Sequence, residues 1–250
     1  MIQLNDFSIG YGSRTLLREV NTSFGKGQLT ALIGRNGSGK STLLRTLAGL
    51  NRRYSGDIIL DGKDIRSLSP GGLARSIAFV TTERTRIPNL RCEDVVAIGR
   101  APYTNWIGRM QESDRQIVMD AISAVGMENY ARRTMDTMSD GECQRIMIAR
   151  ALAQDTPAIL LDEPTSFLDL PNRYELVSLL HSLAHDKGKC VLFSTHELDV
   201  ALRKCDCIAL VDNGTLYNLT VSEMIQSGHI QRLFSSPNIS FEEMLWQKEK

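Results

Sequence analysis

Apolar residues crowd into short runs at positions 29–33, 77–80, 158–161, 191–193 and 207–211, and stretches of helical spacing separate them. Strands alternating with helices in this way predict a largely parallel sheet covered by helices on both faces. In such a sheet, ligands gather at the carboxyl ends of the strands. The period changes between about 91 and 150. Within 114–125, Ile117, Val118, Ala121, Ile122 and Val125 recur at helical spacing, so the segment reads as a helical subdomain inserted into the α/β core. The N-terminal run to Phe24 and residues 56–60 predict antiparallel strands flanking that core. The expected organisation is one domain over 1–235 and a tail, 236–250, without a clear period. No internal repeat interrupts it.

Composition narrows the partners. The 250 residues can bury a substantial core, and the 29 basic and 29 acidic side chains balance, leaving no net basic field for nucleic acid. The apolar runs fall far short of the roughly 20 residues that a bilayer crossing needs. The first ten residues alternate like a strand rather than a secretory signal, so a cytoplasmic chain is expected, attached to membrane only through a partner. Cys92, Cys143, Cys190, Cys205 and Cys207 show no CxxC spacing and read as reduced thiols.

The run at 29–33 leads into Gly34-Arg35-Asn36-Gly37-Ser38-Gly39-Lys40-Ser41, with Thr42 opening a helix. This is the phosphate-binding P-loop pattern in its strand-to-helix setting. Its glycines let successive N–H groups point at phosphate oxygens, and the helix adds its positive end. Lys40 is expected to neutralise the β and γ oxygens, and the Ser41 hydroxyl to ligate Mg²⁺. A second apolar run ends in Asp162 and Glu163, which strand alternation directs apart. Asp162 is placed to hold Mg²⁺, and Glu163 to polarise the attacking water. His196 follows the run at 191–193, which brings it to the same sheet edge, within reach of the γ-phosphate. The fold expected is a P-loop NTPase core with a mainly parallel sheet, an antiparallel β subdomain and the inserted helical subdomain.

About twenty residues before Asp162 stand Met138-Ser139-Asp140-Gly141-Glu142 and a helix-forming run. With the P-loop, this segment resembles the ABC (ATP-binding cassette) ATPase family over almost the whole chain. The segment is similar to the family's LSGGQ signature loop, with Asp140 and Glu142 in place of Gly and Gln. Ser139 also reads as a helix N-cap, since Ser-x-x-Glu is a capping box; the two readings are compatible, because a capped helix start binds phosphate. Ser166-Phe167-Leu168-Asp169 resembles the family's D-loop, and Tyr11 stands where relatives stack an aromatic on adenine. The resemblance implies a head-to-tail homodimer in which Ser139, Gly141 and Glu142 of one subunit face ATP held by the other. Residues 95–109, with Ile98-Gly99-Arg100-Ala101-Pro102-Tyr103 and Gly108-Arg109, look like importers of iron-siderophore complexes, haem or cobalamin. Such importers imply polytopic permease subunits, a substrate-binding protein and a place on the inner face of the membrane.

Relatives carry a Gln after the run at 77–80, where this chain reads Thr81-Thr82-Glu83-Arg84. Either Thr82 holds that position, through its hydroxyl or a water, or Glu83 reaches it; Glu83 is favoured as the replacement and Mg²⁺ ligand, because Thr82 is too short to span the same distance directly. His181 and His185, four apart, read as a solvated helix face, and Cys205 and Cys207 as small buried side chains. Two other functions share these motifs: a soluble ABC ATPase of iron-sulfur cluster assembly, and an ABC protein acting on nucleic acid. The second normally needs two cassettes or a long coiled-coil insertion, which this chain lacks. A GTPase is excluded because no Asn-Lys-x-Asp segment follows the P-loop.

Overall fold

A computed structural model describes residues 1–12, 14–83, 87–104 and 110–234. Gly108, Arg109, Arg84 and the 236–250 tail lie outside the described residues. The chain opens with β1 (Ile2–Tyr11), β2 (Arg14–Phe24) and β3 (Gln28–Gly34), followed by α1 (Lys40–Leu47), β4 (Tyr54–Leu60), β5 (Lys63–Asp64), α2 (Pro70–Ala74) and β6 (Ile77–Val80). Three helices come next: α3 (Cys92–Ala97), α4 (Glu112–Ala124) and α5 (Asp140–Ala153). The α/β alternation resumes with β7 (Ala158–Leu161), α6 (Leu170–His185), β8 (Cys190–Ser194), α7 (Leu198–Lys204) and β9 (Cys207–Asp212), and ends with β10 (Thr215–Thr220), α8 (Val221–Gln226) and α9 (His229–Phe234).

Two sheets result. One has the order β2-β1-β4-β5 and is antiparallel; the other has the order β10-β9-β3-β8-β7-β6, parallel except for β10. The apolar runs are continuous because their strands are buried on both faces. Leu29, Ala31 and Ile33 of β3, with Val191 and Phe193 of β8, enter the core beneath α5 and α6, while Leu32 and Leu192 enter the core shared with α1 and the antiparallel sheet. Each such side chain contributes roughly 1.5–3 kcal/mol by leaving water. Polar substitution on either face would open one of the two cores.

The helices between β6 and β7 pack through Val95, Val96, Val118, Ile122, Ile146 and Met147, all buried. Arg100 locks the assembly. Its Nε donates to Asp114 Oδ1 at 2.9 Å and its Nη1 to the Ala153 carbonyl at 2.9 Å, with both charged side chains under a tenth exposed. The Gln111 backbone N–H, followed by Arg100, holds the Asp114 carboxyl below the usual carboxylate range. This contribution is therefore present above the ordinary carboxylate pKa and lost as pH falls through the lowered value. Arg100→Met strands a buried carboxylate, and chemical denaturation should show a loss of about 3–5 kcal/mol.

Candidate functional site: a phosphate cradle at the sheet edge

Between β3 and α1 the backbone turns back on itself. Gly37 and Gly39 take φ of +72° and +112°, a region that side-chain-bearing residues avoid, and this aims the loop's N–H groups inward. Lys40, the first residue of α1, is buried, and its Nζ donates to the Gly34 and Arg35 carbonyls at 2.9 and 3.4 Å. Burial pushes its ammonium below the usual lysine range, against the pull of Glu163 and Asp162. Among the described residues, Ser38 Oγ is buried without a hydrogen-bond partner. A desolvated cation, an orphan hydroxyl and a ring of N–H groups fit an anionic phosphate chain.

The neighbouring strand ends supply the acids. Asp162 follows β7 and is buried, and its Oδ1 accepts from Ser41 Oγ at 3.0 Å and from Ser194 Oγ at 2.7 Å. Ser194 in turn accepts the Glu163 N–H at 2.8 Å. Glu163 has φ of +47°, a left-handed conformation uncommon outside glycine, so its side chain leaves the direction that Asp162 takes. Glu163 Oε1 meets His196 Nε2 at 2.7 Å, and both side chains stay partly open to solvent. Ser41, Asp162, Ser194, Glu163 and His196 thus form one hydrogen-bonded chain across the edge of the sheet. One hydroxyl and one carboxylate suit Mg²⁺, which keeps its remaining positions for water and phosphate oxygens.

A cleft of about 1230 Å³ runs alongside, walled by Tyr11, Ser41, Thr42, Arg45, Glu83 and Arg150 among others. Tyr11, at the end of β1, is 77% exposed. The signature segment forms a separate cluster at the start of α5. Ser139 caps that helix, accepting the Glu142 N–H at 3.3 Å while Glu142 Oε2 takes the Ser139 N–H at 2.8 Å. A β-carbon added at Gly141 would lie 3.1 Å from the Phe167 carbonyl oxygen, so a larger residue would crowd the signature turn against the 166–169 loop. Asp169 ends that loop as the N-cap of α6, accepting from the Asn172 N–H at 3.3 Å.

The profile of the ABC transporter family matches residues 17–166, a span that holds the P-loop, the signature turn and both acids after β7. The chain belongs to the ABC transporter family. An uncharacterized ABC transporter ATP-binding protein of Methanocaldococcus jannaschii is 39% identical over 246 residues, covering 98% of this chain and 85% of that protein. The iron(3+)-hydroxamate import ATP-binding protein of Bacillus subtilis is 36% identical over 215 residues, covering 86% of this chain and 80% of that protein. A solved ABC cassette, dimeric and in a post-hydrolysis state with ADP and Pi, superposes with a TM-score of 0.78 at 27% identity, over 88% of this chain and 99% of that one. The expected P-loop NTPase fold and the ATPase assignment stand on these likenesses together with the fold.

Within this cassette the structure gathers Lys40, Ser41, Asp162, Glu163 and His196 in one place. It does not extend the same arrangement to Glu83. That carboxylate pairs with Arg45 Nη2 at 2.6 Å and is 71% exposed, whereas the shorter Thr82 donates to the Asp162 carbonyl at 2.9 Å. The threonine hydroxyl thus reaches the backbone of the acid, while the longer Glu83 turns to Arg45. Sequence reading also passed over Ser194, the link between Asp162 and Glu163. Its only signal was a hydroxyl ending an otherwise apolar run. His181 and His185 stack at 4.1 Å, and His185 meets Asp206, giving them a structural partner on the helix face. Among the described residues no helix is long and apolar enough to cross a membrane.

Proposed function

We propose that two copies of this cassette close head to tail on two ATP molecules and drive import of a ferric hydroxamate or similar metal chelate through polytopic membrane subunits. The hydrogen-bonded chain from Ser41 to His196 beside the P-loop carries the ATPase half of this reading. Lys40 leaves the Gly34 and Arg35 carbonyls for the β and γ oxygens, and Tyr11 stacks on adenine. Gly34, Asn36, Gly37, Ser38, Gly39 and Thr42 shape the cradle or present its N–H groups. Ser41 and Asp162 would hold Mg²⁺, which when bound supplies charge neutralisation across the phosphates.

Asp162 is already engaged by two hydroxyls, so it serves as a fixed ligand rather than a base. Glu163, partly solvent-facing, orients and deprotonates water, and His196 holds its carboxylate in place and reaches the γ-phosphate. Ser139, Gly141 and Asp169 meet the partner's nucleotide, since two-fold symmetry pairs each P-loop with the other copy's signature turn.

The likeness to a hydroxamate importer supports import over iron-sulfur assembly or a nucleic-acid role. A substrate-binding protein would deliver the chelate, and the cassette would sit on the inner face of the membrane. Thr82 ties the Asp162 strand end to the cleft wall, which makes it the favoured route from nucleotide to permease. The test is reconstitution in vesicles with candidate polytopic permease subunits. ATP should drive ferric hydroxamate uptake, Thr82→Ala should hydrolyse ATP without proportionate uptake, and Glu83→Ala should behave like the parent. A cassette that co-purifies with soluble proteins and never with membranes defeats the importer reading.

A further inference from the structure

Glu142 stands where the family's signature pattern carries Gln, and its charge does more than cap a helix. Besides the two capping bonds, Glu142 Oε2 receives the Ser139 hydroxyl proton, with Ser139 Oγ 2.8 Å away. Tyr130 and Arg133 stand beside the same carboxylate and help to hold it ionised, and the Arg133 guanidinium lies 4.7 Å from the centre of the Tyr130 ring. Backbone donation from Ser139, then its hydroxyl and Tyr130, hold the Glu142 carboxyl below the usual range, so it is ionised at neutral pH. The Thr220–Glu223 box at the start of α8 makes the same three bonds, so what sets Glu142 apart is that its capping hydroxyl belongs to the signature turn. The third bond occupies the single proton that a serine hydroxyl owns. While it lasts, Ser139 has no proton to give to a phosphate.

We propose that the Glu142 carboxylate is a resident anion at the signature turn. It holds the Ser139 donors until the terminal phosphate of the partner's nucleotide displaces it, and it thereby sets how much ATP is needed to close the dimer. The inference rests on the reading of Ser139 as a ligand of that nucleotide. Two effects point the same way. A hydrogen bond to a charged acceptor is roughly twice as strong as one between neutral groups. A carboxylate beside an arriving phosphate also repels it, so closure requires Glu142 to leave the Ser139 donors. The same charge favours the start of α5, where a negative side chain meets the positive end of the helix. Glu142 therefore stabilises the single subunit while opposing the closed pair, and a purely structural residue would not separate these effects.

Glu142→Gln keeps the shape and the carbonyl acceptor of the capping box and removes the charge. It should lower the ATP concentration for half-maximal hydrolysis by about three- to tenfold, the span between a charge-assisted and a neutral hydrogen bond. Its thermal unfolding midpoint should not rise. Tyr130→Phe leaves the charge and takes away one anchor, so it should shift half-saturation in the same direction by less. An unchanged or raised half-saturating ATP concentration in Glu142→Gln, with Ser139→Ala still inactive, overturns the proposal and leaves the signature reading standing. Hydrolysis at the parental rate in Ser139→Ala overturns that reading and the proposal with it.

Discussion

Glu163→Gln should bind Mg-ATP as tightly as the parent and hydrolyse it slower by a factor on the order of 10² or more, the usual yield of a positioned general base. The amide matches the carboxylate in shape and can still meet His196 Nε2, which lies 2.7 Å from Oε1 in the parent. It cannot take a proton from water. The left-handed backbone at residue 163 is unaffected, because that turn is fixed by the Ser194 hydroxyl on the Glu163 N–H. Single-turnover hydrolysis, with nucleotide binding measured separately, divides the two effects. Near-parental turnover would remove Glu163 from the reaction.

Ser139→Arg should abolish hydrolysis while leaving ATP binding to the isolated subunit intact. Residue 139 belongs to the cluster at the start of α5, whereas the proposed phosphate site of the same subunit is built from Lys40, Ser41 and Asp162 at the ends of β3 and β7. The long cation blocks the turn that faces the other copy's phosphate. Mixing with parental protein tests the sharing. Each mixed pair keeps one intact signature turn and one blocked turn, and because the pair closes on both nucleotides together, the blocked turn should silence both sites and depress hydrolysis below the parental contribution. Activity that scales simply with the parental fraction would argue against joint closure of the two sites.

Much of this was legible in the sequence wherever the signal is local. The run 158–161 names a strand because it is too short for a helix and apolar at every position, and β7 covers those four residues. The P-loop is legible because its glycines, lysine and serine act within one turn of chain. The Ser139 cap could be foreseen from the Glu three residues on. Contacts across distance in sequence were not foreseeable. Ser194 lies 31 residues from Glu163, and Arg100 lies 53 from the Ala153 carbonyl; no periodicity connects such pairs. The Glu83 expectation rested on side-chain length alone, and neither the Arg45 partner nor the reach of Thr82 to a backbone carbonyl is written in the local pattern.

In the proposed mechanism, hydrolysis takes place between two copies of this chain. Sedimentation of Glu163→Gln with and without Mg-ATP tests it most directly, since slow hydrolysis preserves the closed state. A shift from monomer to dimer on adding Mg-ATP, with two nucleotides bound per pair and the shift lost in Ser139→Arg, is the result expected. A protein that binds one ATP per chain and stays monomeric at concentrations where the parent hydrolyses ATP would contradict it.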